Sequence, residues 1–68
     1  MNKQTIRYFV PIMHLAEVEH FLNHGVTQIQ SQVQYNGGID WCQCDIDAGR
    51  QDVVEEIERL GGEKFNPG

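Results

Sequence analysis

Residues 28–46 read Gln-Ile-Gln-Ser-Gln-Val-Gln-Tyr-Asn-Gly-Gly-Ile-Asp-Trp-Cys-Gln-Cys-Asp-Ile. Ile29, Ser31, Val33 and Tyr35 alternate with Gln28, Gln30, Gln32 and Gln34, which is the period of two of a strand with unlike faces. Helical spacing would mix the two sets. Asn36-Gly37 follows at once, the dipeptide favoured by a type I′ turn, and Ile39 to Ile46 reads as the returning strand. This stretch is therefore a β-hairpin.

A two-residue Asn36-Gly37 loop pairs Tyr35 with Gly38 and fixes every pair outward from it. Val33 then meets Asp40, Ser31 meets Cys42, and Ile29 meets Cys44. The opposite face pairs Gln34 with Ile39, Gln32 with Trp41, and Gln30 with Gln43. One face is small and apolar; the other is glutamine with Trp41 in its middle.

On the N-terminal side, Thr5 to Ile12 is rich in β-branched and aromatic residues and reads as a first strand, closed by Pro11, which cannot donate to a ladder. From His14 to His24, Leu15, Val18 and Leu22 recur at helical spacing, with Phe21 on the flank and Gly25 at the C-cap position. After the hairpin, Val53, Ile57 and Leu60 predict a second helix over Arg50 to Leu60, with Asp47 as N-cap, a Glu55–Arg59 ion pair and a stop at Gly61-Gly62. Glu63 to Asn66 adds a short fourth strand. The whole chain, 1–68, is expected to form a single α+β domain of order βαββα(β), an antiparallel sheet with two helices on one face.

At 68 residues there is room for one core only. Hydrophobic residues make up 40% and charged residues 22%, a globular rather than a disordered composition. The formal charge of −5 argues against nucleic acid as partner, because phosphate binding rests on Lys and Arg. No apolar run approaches a membrane span, and Met1 to Gln4 lead into a strand instead of a signal-peptide core, so the expected location is cytoplasmic, with no membrane partner. Cys42 and Cys44 are next-but-one neighbours on a strand, about 6.5 to 7 Å apart and at or beyond disulfide reach.

The order βαββα(β) with a tight central hairpin resembles the ferredoxin-like plan, and more narrowly the ACT and NIL regulatory domains. Gly25-Val26, Ile29, Val33, Tyr35, Gly38, Ile46, Asp47, Val53, Ile57, Leu60 and Gly61 stand where a NIL-like pattern would place them. In ACT domains a Pro-Gly-containing loop between strand one and helix one commonly helps bind an amino acid; the equivalent stretch here, Pro11-Ile12-Met13-His14-Leu15, contains no glycine. Heavy-metal-associated domains share the topology but carry CxxC in that loop, and this chain has no cysteine there.

The residues that could carry chemistry have simpler uses. Cys42 and Cys44 share a strand face and read as small core residues; two thiolates do not close a zinc site. His20 and His24, one turn apart with Glu17, read as a solvated helix face, and His14 as a loop or capping residue. Asp45-Ile46-Asp47-Ala48-Gly49 lacks the later ligands of a calcium loop. No catalytic residues, metal site or cofactor are expected.

The binding surface is expected on the sheet face away from the helices. With Ile6, Tyr8 and Val10 turned toward the helices, Arg7 and Phe9 lie beside Ile39 and Trp41, framed by Gln30, Gln32, Gln34 and Gln43. Recognition modules for RNA place aromatics similarly but surround them with basic residues, and Arg7 is alone in that role here. The favoured function is a non-catalytic protein-interaction module, a small acidic regulator or inhibitor comparable in size and charge to those of phage and mobile elements. It would dock on a protein partner, or on itself as a homodimer, through the open face or the second-strand edge. The alternative is an ACT- or NIL-like sensor binding a small ligand such as an amino acid at a homodimer interface.

Overall fold

A computed structural model describes residues 4–67; Met1 to Lys3, part of the segment compared above with a signal peptide, lie outside the described residues. The elements run β1 (Thr5–Pro11), a 3-10 turn (Ile12–His14), α1 (Leu15–Glu19), β2 (Val26–Tyr35), β3 (Gly38–Asp47), α2 (Gln51–Arg59) and β4 (Glu63–Lys64). One four-stranded sheet has the order β2-β3-β1-β4 with every neighbouring pair antiparallel. The chain is thus α+β, as its periodicities predict.

The core lies between one sheet face and the helices. Alternation along β1 and β3 puts Tyr8, Val10, Cys42, Cys44 and Ile46 on that face, where they form one buried cluster with Val18 of α1 and Val53, Val54 and Ile57 of α2. Tyr8 is 3% exposed, yet its hydroxyl is satisfied by donating to Glu58 Oε2 at 2.7 Å. Burial, then the bond to and charge of Glu58, push its phenol up to about 12.

The first helix is shorter than the spacing of Leu15, Val18 and Leu22 predicts. It stops at Glu19, and the chain reaches β2 through turns closed by Phe21 N to Val18 O and Leu22 N to Glu19 O. Asn23 and Gly25 both take positive φ, 67° and 112°. Gly25 is needed for space as well as conformation, since a Cβ there would lie 2.6 Å from Val53 Cγ2. His20 and His24 therefore do not share a helical face.

Helix α2 also departs in detail from the expected capping. Asp47 does not cap it; its Oδ1 accepts from Gly49 N at 3.0 Å, closing an Asx turn, and Arg50 holds the N-cap position. Arg59 pairs with Glu56 rather than Glu55. The C-terminus is a Schellman motif: Gly61 N reaches Glu58 O and Gly62 N reaches Ile57 O, both at 3.0 Å, with Gly61 at φ 87°.

The hairpin register follows the two-residue turn at Tyr35 and again from Gln30 to Gln28, and breaks it between them and at Val26, which lies opposite Ile46. Tyr35–Gly38, Gln30–Gln43 and Ile29–Cys44 pair as the turn dictates, but Val33 lies opposite Trp41, not Asp40. From Gln30 to Val33, β2 advances three residues while β3 advances two; from Val33 to Tyr35 the imbalance reverses. These are bulges at Ser31–Gln32 on β2 and at Ile39–Asp40 on β3, and the two cancel; β2 carries a further one at Thr27, between Val26–Ile46 and Gln28–Asp45. The predicted pairs Ser31–Cys42, Gln32–Trp41 and Gln34–Ile39 do not form.

Candidate interaction surface

The bulges transfer Val33 and Tyr35 from the helix side to the side of Trp41, and Tyr35 is the consequential move. Gly38, its partner, stands five residues along β3 from Gln43, the partner of Phe9, which is about 16 Å in a flat ribbon. Yet the Tyr35 and Phe9 rings stack with centroids 4.1 Å apart and planes 9° apart. The ribbon must coil for this, as paired bulges make it do. Trp41 meets Tyr35 edge-on at 5.0 Å, Phe65 meets Phe9 edge-on at 5.8 Å, and the Tyr35 hydroxyl donates to Glu63 Oε1 at 2.9 Å. That bond raises the Tyr35 phenol pKa. Four aromatic rings thus form a second, smaller core on the face that alternation alone presents as open.

This changes the standing of the residues expected to bind. Phe9 is on the face away from the helices but is only 7% exposed, covered by Tyr35 and Phe65. Arg7 is beside it, with Nε donating to Asp45 Oδ1 at 3.1 Å. Trp41 is half-buried, across the ladder from Pro11 and Val33. Ile39 sits in the β3 bulge at 58% exposure, and its carbonyl accepts from Gln32 Nε2 at 3.5 Å. Gln30 and Gln43 are cross-strand partners in the row of Phe9. Gln32 and Gln34 flank Val33, so the slipped register turns them to the other side of the ribbon.

Sequence alternation misses Val33, Tyr35 and Phe65. Ten-residue arms joined to a five-residue and a nine-residue helix offered a signal, because the helices are too short to cover the hairpin tip.

The outer edge of β2 is the other part of this surface. By strand order β2 pairs with β3; Leu22 bridges to its first residue, Val26, and beyond Val26 no other strand among the described residues lies beside it. All ten residues, Val26 to Tyr35, are uncharged, and Thr27, Gln28, Gln30, Ser31, Gln32 and Gln34 are exposed.

The titratable candidates lie elsewhere. Cys42 and Cys44 are free and fully buried beneath the helices. Burial raises the Cys42 thiol; burial, then the charges of Cys42 and Asp45, pushes Cys44 up to about 12. Neither supplies a thiolate near neutral pH. The His14 ring is tied to Glu17 Oε2 at 3.0 Å. Among the described residues no group of three or more His, Cys, Asp or Glu could hold a metal ion, and no helix is long and apolar enough to cross a membrane.

No protein-family model matches the chain, and comparison with curated proteins and with solved structures finds no match.

Proposed function

We propose that this chain is a non-catalytic protein-interaction module on the ferredoxin-like plan, a small regulator or inhibitor that works by strand addition at β2. The observation that carries the proposal is an uncharged ten-residue edge strand, six of whose residues are exposed, in a chain of net charge −5. Native sheets commonly protect an edge of this length with lysine, proline, an inward charge or a bulge, and of these β2 has only bulges, at Thr27 and at Ser31–Gln32. Such an edge offers main-chain hydrogen bonds to an incoming strand, with side-chain contacts setting specificity. Ile39 and the half-buried Val33 and Trp41 supply apolar contacts near the hairpin tip. The ferredoxin-like assignment is supported by the order β2-β3-β1-β4 with all neighbours antiparallel and both helices packed on one face.

The simplest partner is a second copy. An antiparallel β2–β2 pair brings no like charges together, and glutamine amides both donate and accept, so the exposed row is self-complementary. Light scattering at micromolar concentration should give twice the 7.8 kDa chain mass. Gln32→Lys with Gln34→Lys should return a folded monomer with unchanged far-ultraviolet circular dichroism. A wild-type protein that stays monomeric at these concentrations excludes self-pairing, and an unaltered dimer in the double variant excludes the β2 edge.

A further inference from the structure

The net charge of this chain lies in one half of the fold. Residues 8–49 hold five of the ten acidic residues, Glu17, Glu19, Asp40, Asp45 and Asp47, and none of the five Lys and Arg. With histidine counted as neutral, the whole net charge of −5 belongs to this stretch, and the remaining residues balance five acids against five bases. The stretch supplies α1, β2 and β3, whereas the four described bases stand on β1, on α2 with its N-cap, and on β4. By strand order β2 and its neighbour β3 form the acidic side of the sheet.

Pairing within the chain cancels only part of this charge. Asp45 is bonded to Arg7, and Glu17 to the ring of His14. Glu19 and Asp40 are exposed and have no ion-pair partner among the described residues. Both flank the β2 edge. Glu19 ends α1 just before Leu22, which bridges to Val26. Asp40 is on β3, so a strand added to β2 would lie two strand spacings, about 10 Å, from its backbone. That distance is about one screening length at 0.1 M salt.

We propose that the strand taken up at β2 is a basic extended segment of another protein, with Lys or Arg at alternate positions. This rests on strand addition at β2 and names the partner's chemistry. Backbone groups from Gln28 to Tyr35 pair the incoming strand, glutamine amide oxygens accept from its cationic side chains, and Glu19 and Asp40 supply attraction. A second copy matches the uncharged strand but brings a second acidic half with it, so a basic strand is the better match.

Capped peptides long enough to span Gln28 to Tyr35, followed on the wild-type chain by amide NMR shifts, test the proposal. Three alternate valine with lysine, glutamine or glutamate; a fourth alternates proline with lysine and so lacks the backbone donors of a strand. In about 0.01 M salt the lysine–valine peptide should shift residues 27–35 saturably and bind about tenfold more tightly than the glutamine peptide, with the glutamate peptide weakest. At about 0.15 M salt the screening length falls from about 30 Å to about 8 Å, and the margin should shrink to about twofold. Glu19→Gln with Asp40→Asn should cut the low-salt margin about threefold, and Glu55→Gln on α2 should leave it unchanged. Equal binding of the lysine and glutamine peptides at β2 overturns the basic partner and leaves strand addition standing. Equal binding of the proline peptide, or shifts outside β2, overturns strand addition as the mode. Binding by none of the peptides overturns the proposal, while the mass of the wild-type chain and of its Gln32→Lys, Gln34→Lys variant still decides self-pairing.

Discussion

Truncation of Phe9 separates a surface patch from a second core. As an exposed ring on an open sheet, Phe9 would be nearly silent in folding, and Phe9→Ala would cost well under about 1 kcal/mol. The structure instead leaves it 7% exposed between Tyr35 and Phe65. Buried Phe→Ala substitutions cost about 3 to 5 kcal/mol. At about 0.05 to 0.15 kcal/mol per residue, 68 residues give a total stability of about 3 to 10 kcal/mol. Phe9→Ala should therefore remove about half of it and lower the thermal midpoint by about 20 °C, given about 4 to 8 °C per kcal/mol in a domain of this size. Trp41→Ala, at a half-buried position, should cost about half as much. Urea unfolding followed by far-ultraviolet circular dichroism measures both. In Phe9→Ala the emission of Trp41, the sole tryptophan, should also move to the red as the Tyr35 ring loses its support. If Phe9→Ala costs less than about 1 kcal/mol, the hairpin does not coil over this face in solution.

Gly25→Ala should destabilise by about 2 to 4 kcal/mol in the same urea assay, because the new methyl meets Val53 at a backbone angle that side chains avoid. Cys42 and Cys44 should be inert to a thiol reagent at pH 8 in the folded protein and should both react in denaturant; labelling without unfolding would contradict their burial. Tyr8 keeps its proton to about pH 12 when folded but loses it near pH 10.0 when unfolded. Its contribution to stability is thus complete below pH 10 and is lost as pH rises toward 12, a loss absent from Tyr8→Phe when urea midpoints are compared in a Tyr35→Phe background.

The elements that could be read from sequence are those set by local rules. The Asn36-Gly37 turn, the β1 alternation that sends Tyr8 and Val10 inward, the Val53/Ile57 stripe and the glycine stop at Gly61-Gly62 each depend on a few adjacent residues. The apolar spacing predicts too long a first helix because Leu22 continues it, while the left-handed Asn23 and the crowded Gly25 turn the chain toward β2. The surface was the least legible part. Period-two alternation has no symbol for an extra residue, so it groups Gln32 and Gln34 with Trp41 and places Val33 and Tyr35 with the cysteines. Alternation gives the right side for Arg7 and Phe9 because β1 pairs with β3 without a bulge, but the ring that covers Phe9 comes from a displaced strand.

The bulges also mark where this hairpin can change length. Removing one residue at Ser31–Gln32 would leave Gln30 opposite Gln43 and Val33 opposite Trp41 with no extra residue between them, so Val33 and Tyr35 would keep their side and β2 would lose only its bend there. A single deletion at Ile39–Asp40 would do the same for β3. Deleting one residue from each arm would keep the register and give a straighter ribbon, still paired but no longer wrapped. Such a paired-deletion protein would unpin the Tyr35 lid while leaving the helix-side core intact, converting a sheet with two cores into a sheet with one.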